Sequence, residues 1–155
     1  MSDISPLAER YGASNAPQPA LSNPIIAHLR SHRSVRGYRP DALPAGALQA
    51  IIAAAQSAAT SSNLQTWSVV AVTDAAAKAE LAAIAGGQKH IEECPVFLLW
   101  VADLSRLNRV ADAAGLPRAG NDTFEMASMA IIDAALASQN AVVAAESLGL
   151  STVYI

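Results

Sequence analysis

Cysteine, charged residues and aromatic side chains are all scarce in this sequence, and the first two scarcities exclude whole classes of protein. Cys94 is the single cysteine among 155 residues, so no disulfide can form within the chain, and a reducing compartment fits best. Charged residues make up 15%, the net charge is −3 and no basic block is present, which argues against a nucleic-acid-binding surface. The first residues lack the apolar segment of a signal peptide, and we therefore expect a cytoplasmic protein.

Motifs for metal and hydrolase chemistry are also missing. The sequence contains no HExxH, GxSxG or CxxC pattern. Its most apolar stretch, 127–150, is interrupted by polar side chains, which argues against a membrane span. We expect these side chains to cap helices and to form interhelical hydrogen bonds; they are Asp133, Gln139, Asn140 and Glu146.

What the sequence has in abundance is small apolar side chains. Hydrophobic residues make up 52%, and many of them are alanine. Alanine-rich helices that pack closely on one another are therefore expected, with a thin polar surface that a partner subunit could complete. A chain of 155 residues suits one domain with a sizeable core.

Hydrophobic periodicity predicts helices that alternate with strands. Helical spacing and capping residues predict helices over 24–29, 45–58, 75–85, 103–115 and 121–148. Runs of β-branched and aromatic residues predict strands over 67–73, 96–102 and 151–155. The strand over 96–102 is apolar on both faces, so we expect it to lie at the centre of a sheet.

The two ends of the chain differ from the rest. Residues 1–23 are rich in Pro, Ala and Ser with little periodicity, which predicts an extended or disordered arm. The strand predicted over 151–155 has barely begun where the sequence stops, so its ladder partners are missing. We therefore expect the chain to be part of something longer, cut at its C-terminal side.

Two polar islands are candidate binding segments. His32, Arg33, Ser34 and Arg36 follow a short helix and combine two guanidinium groups with a hydroxyl and an imidazole. Guanidinium forks suit phosphate oxygens, although a pair of arginines is also common on a solvated surface. The second polar segment, 60–65, has almost no apolar side chain to bury, and on its own it is better explained as an ordinary loop between a helix and a strand.

Taken in order, several segments resemble the FMN-dependent nitroreductase family, in particular its NADPH-using nitro/flavin reductase branch. The resemblance runs from about residue 25 to the end of the sequence. Its motifs are HRSVR at 32–36, SSNLQ at 61–65, GGQKH at 86–90, AAESLG at 144–149 and TVYI at 152–155. Each motif is weak alone, but their common order and spacing make the resemblance strong.

The resemblance implies an α+β, three-layer α/β/α fold with a central, mainly antiparallel sheet flanked by helices. It also implies an intertwined homodimer with FMN at the subunit interface. Residues 24–155 would then form the N-terminal part of the FMN-binding domain, with the C-terminal strands and arm missing. The arginines that bind the 2′-phosphate of NADPH in this branch would lie in that missing part. The sequence therefore does not indicate whether NADPH or NADH is the preferred coenzyme.

The resemblance also implies roles for individual residues. Arg33, Ser34 and Arg36 would hold the FMN phosphate and ribityl chain, with His32 beside them. Ser61, Ser62, Asn63 and Gln65 would reach the flavin of the other subunit. The remaining implied contacts to the flavin are the side chain of Gln88 and the backbone of Tyr154 and Ile155.

The implied activity is reduction of nitroaromatics, quinones or flavins with NADPH or NADH as co-substrate, by a ping-pong hydride transfer in which the cofactor carries the chemistry. No catalytic side chain and no metal is required. Alternatives are a flavin reductase that supplies a partner monooxygenase, a flavin-binding or dimerisation module without turnover, and a purely structural alanine-rich helical domain.

Overall fold

The computed structural model describes residues 6–12, 14–16 and 21–155, and the long helix near the C-terminus organises this part of the chain. Within it, two strands are found, β1 (Trp67–Val72) and β2 (Phe97–Ala102). Two short 3₁₀ turns cover Ser61–Asn63 and Ala119–Asp122. The helices are α1 (Pro6–Tyr11), α2 (Pro24–Ser31), α3 (Ala47–Gln56), α4 (Ala75–Ile84), α5 (Lys89–Glu93), α6 (Ser105–Ala113) and α7 (Phe124–Ser147).

Helix starts follow from local chemistry where a polar side chain precedes an apolar run. The Asn23 side chain accepts a hydrogen bond from the amide of Ile26 at 2.9 Å, and Pro24 occupies the first helical position. Asp74 caps α4 by accepting from the amide of Ala77 at 2.8 Å. The sequence indicated Ser22 or Asn23 for the first cap, of which the structure uses Asn23, and Asp74 for the second, which is confirmed.

The core lies where α3, α7 and one face of the sheet meet. Its fully buried members are small, which lets the two helices approach each other closely. Trp67 and Trp100 cover this cluster from the sheet, with their ring centroids 5.4 Å apart. The buried cluster consists of Ile51, Ala55, Ala137, Ala141 and Ala145.

The sheet is antiparallel, with Trp67 opposite Ala102 and Val72 opposite Phe97. Strand β2 was predicted to be central, and this is wrong for the part of the chain described here, because β2 pairs with β1 alone. Apolar residues on both faces of a strand indicate that other elements pack above and below the sheet. They do not indicate how many strands pair with it on either side. Val70 and Leu99 on the face away from the core remain exposed, by 51% and 37%.

The ends of the described chain depart from the predictions. The strand expected over 151–155 is reduced to one parallel bridge between Ser34 and Thr152, since no second strand runs beside it. The arm predicted to be extended or disordered over 1–23 contains the helix α1 instead. Residues 1–5, 13 and 17–20 of this arm lie outside the described residues. The Arg10 guanidinium of α1 donates to the carbonyls of Arg30 and His32, at 2.7 and 2.9 Å, and so uses acceptors that the end of α2 leaves free.

Two smaller differences concern helices. Helix α7 begins after Thr123, whose hydroxyl accepts from the Met126 amide at 3.3 Å, rather than at residue 121 or 122. The five-residue helix α5 was not predicted, because it is too short to show periodicity. It is anchored from α4 by Lys78, which is 8% exposed and donates to the carbonyls of Glu92 and Cys94 at 2.9 and 2.7 Å.

Helix α7 is long and apolar enough to cross a membrane by length and composition alone, a test that core helices of soluble proteins also pass. Its contacts identify it as a core helix of this fold. It packs on α2, α3 and both strands, and Asp133 in its middle is fully buried among protein groups.

Candidate functional site

The first candidate segment, residues 32–36, is attached to the C-terminal end of α7. The chain leaves α2 at His32, whose Nδ1 lies 2.7 Å from Glu146 Oε1. The same carboxylate oxygen accepts from Thr152 Oγ1 at 3.0 Å, and the amide of Val35 donates to the Thr152 carbonyl at 3.0 Å. Glu146 thus joins the segment to the last residues of the chain. Sequence reasoning had given it only a general helical role.

The donors in this segment that suit an anion remain available. The side chains of Arg33, Ser34 and Arg36 are exposed. Arg33 Nη1 donates a hydrogen bond to the His32 carbonyl at 2.9 Å. Arg36 makes no hydrogen bond or ion pair with the described residues. A recess of about 190 Å³ lies beside the segment, lined by His28, Ser31, Arg33, Val35, Glu146, Leu150 and Ser151. Arg33 lines this recess, Ser34 and Arg36 are exposed next to it in the sequence, and guanidinium and hydroxyl donors of this kind fit a phosphate group.

The second candidate segment, which we call the 60–66 loop, has an unusual backbone. Ser62, Asn63 and Gln65 have φ values of +49°, +54° and +53°. Non-glycine residues in this left-handed region cost on the order of 1–3 kcal/mol each, less for asparagine, and persist only where surrounding contacts enforce them. The amides of Ser62 and Gln65 make no hydrogen bond within the described residues, so they can donate to a ligand.

The enforcing contacts come from two helices. Asp133 on α7 is 0% exposed and accepts from the Ser61 amide at 2.9 Å, the Thr66 amide at 3.1 Å and the Thr66 hydroxyl at 2.9 Å. Arg106 on α6 donates to the carbonyls of Leu64, at 3.3 Å, and Gln65. Sequence reasoning missed Arg106 and expected interhelical bonds for Asp133. The sequence feature that could have indicated the role of Asp133 is its position as a single acidic residue in the middle of an apolar helix.

The last three predicted residues lie in two places. Tyr154 and Ile155 line a cavity of about 350 Å³ between β2, α7 and the end of the chain. The Tyr154 hydroxyl lies 3.0 Å from Ser138 Oγ on α7. Gln88, immediately before α5, does not line this cavity, and its amide nitrogen donates to the Ala85 carbonyl at 2.9 Å.

Within one chain, the two candidate segments are far apart. The 60–66 loop is fixed to α7 at Asp133 and the 32–36 segment at Glu146, which lies 13 residues further along the helix. At 1.5 Å per residue, this separation is about 20 Å. The structure therefore does not bring all the predicted residues into one cluster.

Among the residues that the structure describes, three ionisable groups have clearly shifted pKa values. Burial raises the pKa of the Cys94 thiol and of Tyr38, both of which line the larger cavity. Hydrogen bonds from Ser105 and then Ser68 lower the pKa of Asp103 to about 2. Within the described residues, no group of three His, Cys, Asp or Glu side chains could hold a metal ion.

Comparison with known proteins places this arrangement in a family. The family model for nitroreductases matches residues 29–155. The chain belongs to the nitroreductase family, and the α+β, nitroreductase-like fold that we expected is confirmed.

Curated relatives include the FMN reductase (NADPH) of Bacillus subtilis, 38% identical over 135 residues that cover 86% of this chain and 54% of that protein. The oxygen-insensitive NADPH nitroreductase of Salmonella typhimurium is also 38% identical, over 133 residues that cover 86% and 53%. The solved structure of NADPH:FMN oxidoreductase from Vibrio harveyi, complexed with NAD⁺, matches with a TM-score of 0.77 and 35% identity, over 86% of this chain and 56% of that one. The chain therefore spans about half the length of these relatives.

Proposed function

We propose that this protein is an FMN-dependent oxidoreductase that uses NADPH or NADH to reduce nitroaromatics, quinones or flavins. The observation that carries this proposal is the pair of donor segments. One presents the exposed side chains of Arg33, Ser34 and Arg36, with Arg33 beside a recess, and the other is a left-handed loop with two amides that make no hydrogen bond within the described residues. Relatives named as FMN reductases and NADPH nitroreductases support this choice of cofactor and co-substrate.

In this proposal the 32–36 segment binds the phosphate end of FMN. Arg33 and Arg36 supply charge and forked donors, and Ser34 adds a hydroxyl between them. His32 does not need to touch the cofactor to matter, because its bond to Glu146 fixes the direction in which the segment leaves α2. Positive charge at this end would also favour the anionic state of the reduced cofactor.

The 60–66 loop binds the ring end. The amides of Ser62 and Gln65, with the side chains of Ser61 and Asn63, offer donors and acceptors to the polar edge of a flavin. Gln88 and the backbone of Tyr154 and Ile155 complete the proposed contacts. FMN held by these residues would supply the chemistry of a ping-pong hydride transfer between the reduced nicotinamide and the electron acceptor.

We further propose a cytoplasmic homodimer in which each site combines the 32–36 segment of one protomer with the 60–66 loop of the other. The separation of about 20 Å along α7 supports this, because one cofactor would otherwise have to bridge both segments within a single chain. The outer face of α7 also supports it, since it is apolar and exposed. We define this face as Phe124, Ala127, Ile131, Ile132, Ala135, Leu136 and Gln139.

A visible absorption spectrum of the purified protein, followed by anaerobic addition of NADPH, tests the proposed activity. A flavin spectrum that bleaches with NADPH is the expected result. Flavin that stays oxidised with both NADPH and NADH would instead identify a binding module without turnover. A protein that takes up no FMN at all would contradict the proposal.

A dedicated flavin reductase that supplies a partner monooxygenase is a second candidate, favoured by the names of the FMN-reducing relatives. The two candidates differ in the preferred electron acceptor. Turnover with free FMN that exceeds turnover with a nitroarene by orders of magnitude would favour the dedicated reductase.

A further inference from the structure

Asp133 is a buried carboxylate whose partners are all uncharged. It is 0% exposed and makes no ion pair with any residue that the structure describes. Burying a carboxylate without compensation is costly, and here two amides and a hydroxyl compensate for the lost water. A helix that packs through alanines does not need this group for its own packing, so the reason for it lies in what it binds.

Those donors stand at the two ends of one loop. The Ser61 amide binds one carboxylate oxygen, while the amide and the hydroxyl of Thr66 bind the other. Between these anchors lie the three residues with positive φ and the two amides without partners. Ser62, Asn63 and Gln65, which lie between the two anchors, are exposed.

We infer that Asp133 is the positioning residue for cofactor binding by the 60–66 loop: it fixes the loop conformation that presents the Ser62 and Gln65 amides to the flavin. This inference rests on the proposed function and assigns a role to a residue that does not touch the cofactor. A loop released from Asp133 can relax its positive φ angles, and the two amides then lose the positions that the anchors impose.

The geometry requires a carboxylate at this position. Both oxygens act as acceptors, so an asparagine of the same shape would keep one acceptor and turn an N–H group toward an amide that also donates. Asp133→Asn therefore breaks at least one anchor while it changes the volume of the side chain very little.

The test compares Asp133→Asn with Asn140→Ala. Asn140 lies on the same helix and donates to the Ala54 carbonyl on α3 at 3.1 Å, so its loss weakens the helix packing without touching the loop. Amide hydrogen exchange by NMR in the flavin-free protein reports on the Ser61 and Thr66 anchors, and a fluorescence titration with FMN gives the dissociation constant. Thermal unfolding of both variants shows whether their stabilities match.

We expect Asp133→Asn to accelerate exchange of the Ser61 and Thr66 amides and to raise the FMN dissociation constant about tenfold or more, as loss of a charge-assisted bond implies. Asn140→Ala should leave both at wild-type values. If Asp133→Asn does not fold, Thr66→Val removes only the hydroxyl donor and should raise the dissociation constant by a smaller factor.

Two outcomes would overturn the inference. The first is wild-type exchange and wild-type FMN affinity in the variants at positions 133 and 66. The second is an equal loss of FMN affinity in Asn140→Ala at equal stability, which would reduce the role of Asp133 to general stabilisation. A wild-type protein that binds no FMN refutes the proposed function and the cofactor role of Asp133 with it. The exchange data would then still show whether Asp133 holds the loop.

Discussion

Replacing Ile132 by glutamate should separate the protomers and release the cofactor in one step. Ile132 lies on the outer face of α7, on the side of the helix opposite the buried alanines, and is 55% exposed. In the proposed dimer this face is covered by the partner, and each cofactor site draws on both chains. A charge placed there should therefore abolish association and FMN binding together.

The size of the effect follows from the exposed fraction. Full burial of an isoleucine side chain is worth about 1.5–3 kcal/mol, so burying the 55% that is exposed should contribute about 1–1.5 kcal/mol per protomer. The change occurs twice in a symmetric dimer, which doubles this loss to about 2–3 kcal/mol, and burying two carboxylates adds a further penalty. The dimer dissociation constant should thus rise by about 100-fold or more.

Sedimentation velocity across a concentration series measures the association, and FMN fluorescence measures occupancy in the same samples. Val110→Glu is the matched control, because Val110 is 61% exposed on α6 and lies outside the outer face of α7. This control should leave both quantities unchanged. An Ile132→Glu protein that is monomeric and still saturates with FMN would refute the shared site, and one that stays dimeric would refute the assignment of the interface.

Three further predictions concern single side chains. Arg36→Ala should weaken FMN binding by about 1.5–3 kcal/mol through loss of a charge-assisted hydrogen bond, and full occupancy at submicromolar protein would contradict this. Lys78→Met should lower the free energy of unfolding in urea by about 2–3 kcal/mol, because two carbonyls at the end of α5 lose their donor. The exposed Lys89→Met should stay within about 0.5 kcal/mol of wild type, and equal effects of the two changes would refute that reasoning. The pKa of Asp103 falls to about 2 on folding, so its contribution is present above about pH 4 and is lost as the pH falls toward 2. Asp103→Asn should remove this loss, which amounts to less than about 1 kcal/mol for so solvated a group, and an unchanged pH profile of urea unfolding would contradict it.

The elements that could be predicted from the sequence are those set by neighbours along the chain. Asn23 before Pro24 and Asp74 before an alanine run each define a helix start, because a capping side chain reaches only three residues ahead. Runs of β-branched, aromatic and other apolar residues located both strands for the same reason. Helix α5 was not predicted, since its existence depends on Lys78 from another helix.

The candidate site was predictable as a set of segments but not as a geometry. The 60–65 segment was singled out for its polar composition, yet its left-handed backbone depends on Asp133, more than 60 residues away in sequence. In the same way, the His32 side chain is held by Glu146, 114 residues further along. Contacts between such distant residues follow from the tertiary fold, which local patterns do not encode.

If the proposed dimer forms through the outer face of α7, the distribution of side-chain sizes around this helix makes the stability of the fold depend on protein concentration. The helix turns alanines inward and carries Phe124, Ile131, Ile132 and Leu136 on its outside, the reverse of an ordinary amphipathic helix. In the proposed dimer, much of this apolar surface would be buried only when a second copy binds, and by mass action the melting temperature should then rise as the protein is concentrated. The inward-facing alanines are Ala130, Ala134, Ala137, Ala141 and Ala145. An isolated protomer would then be less stable than the dimer, and dilution would lower the melting temperature by shifting the equilibrium toward isolated protomers.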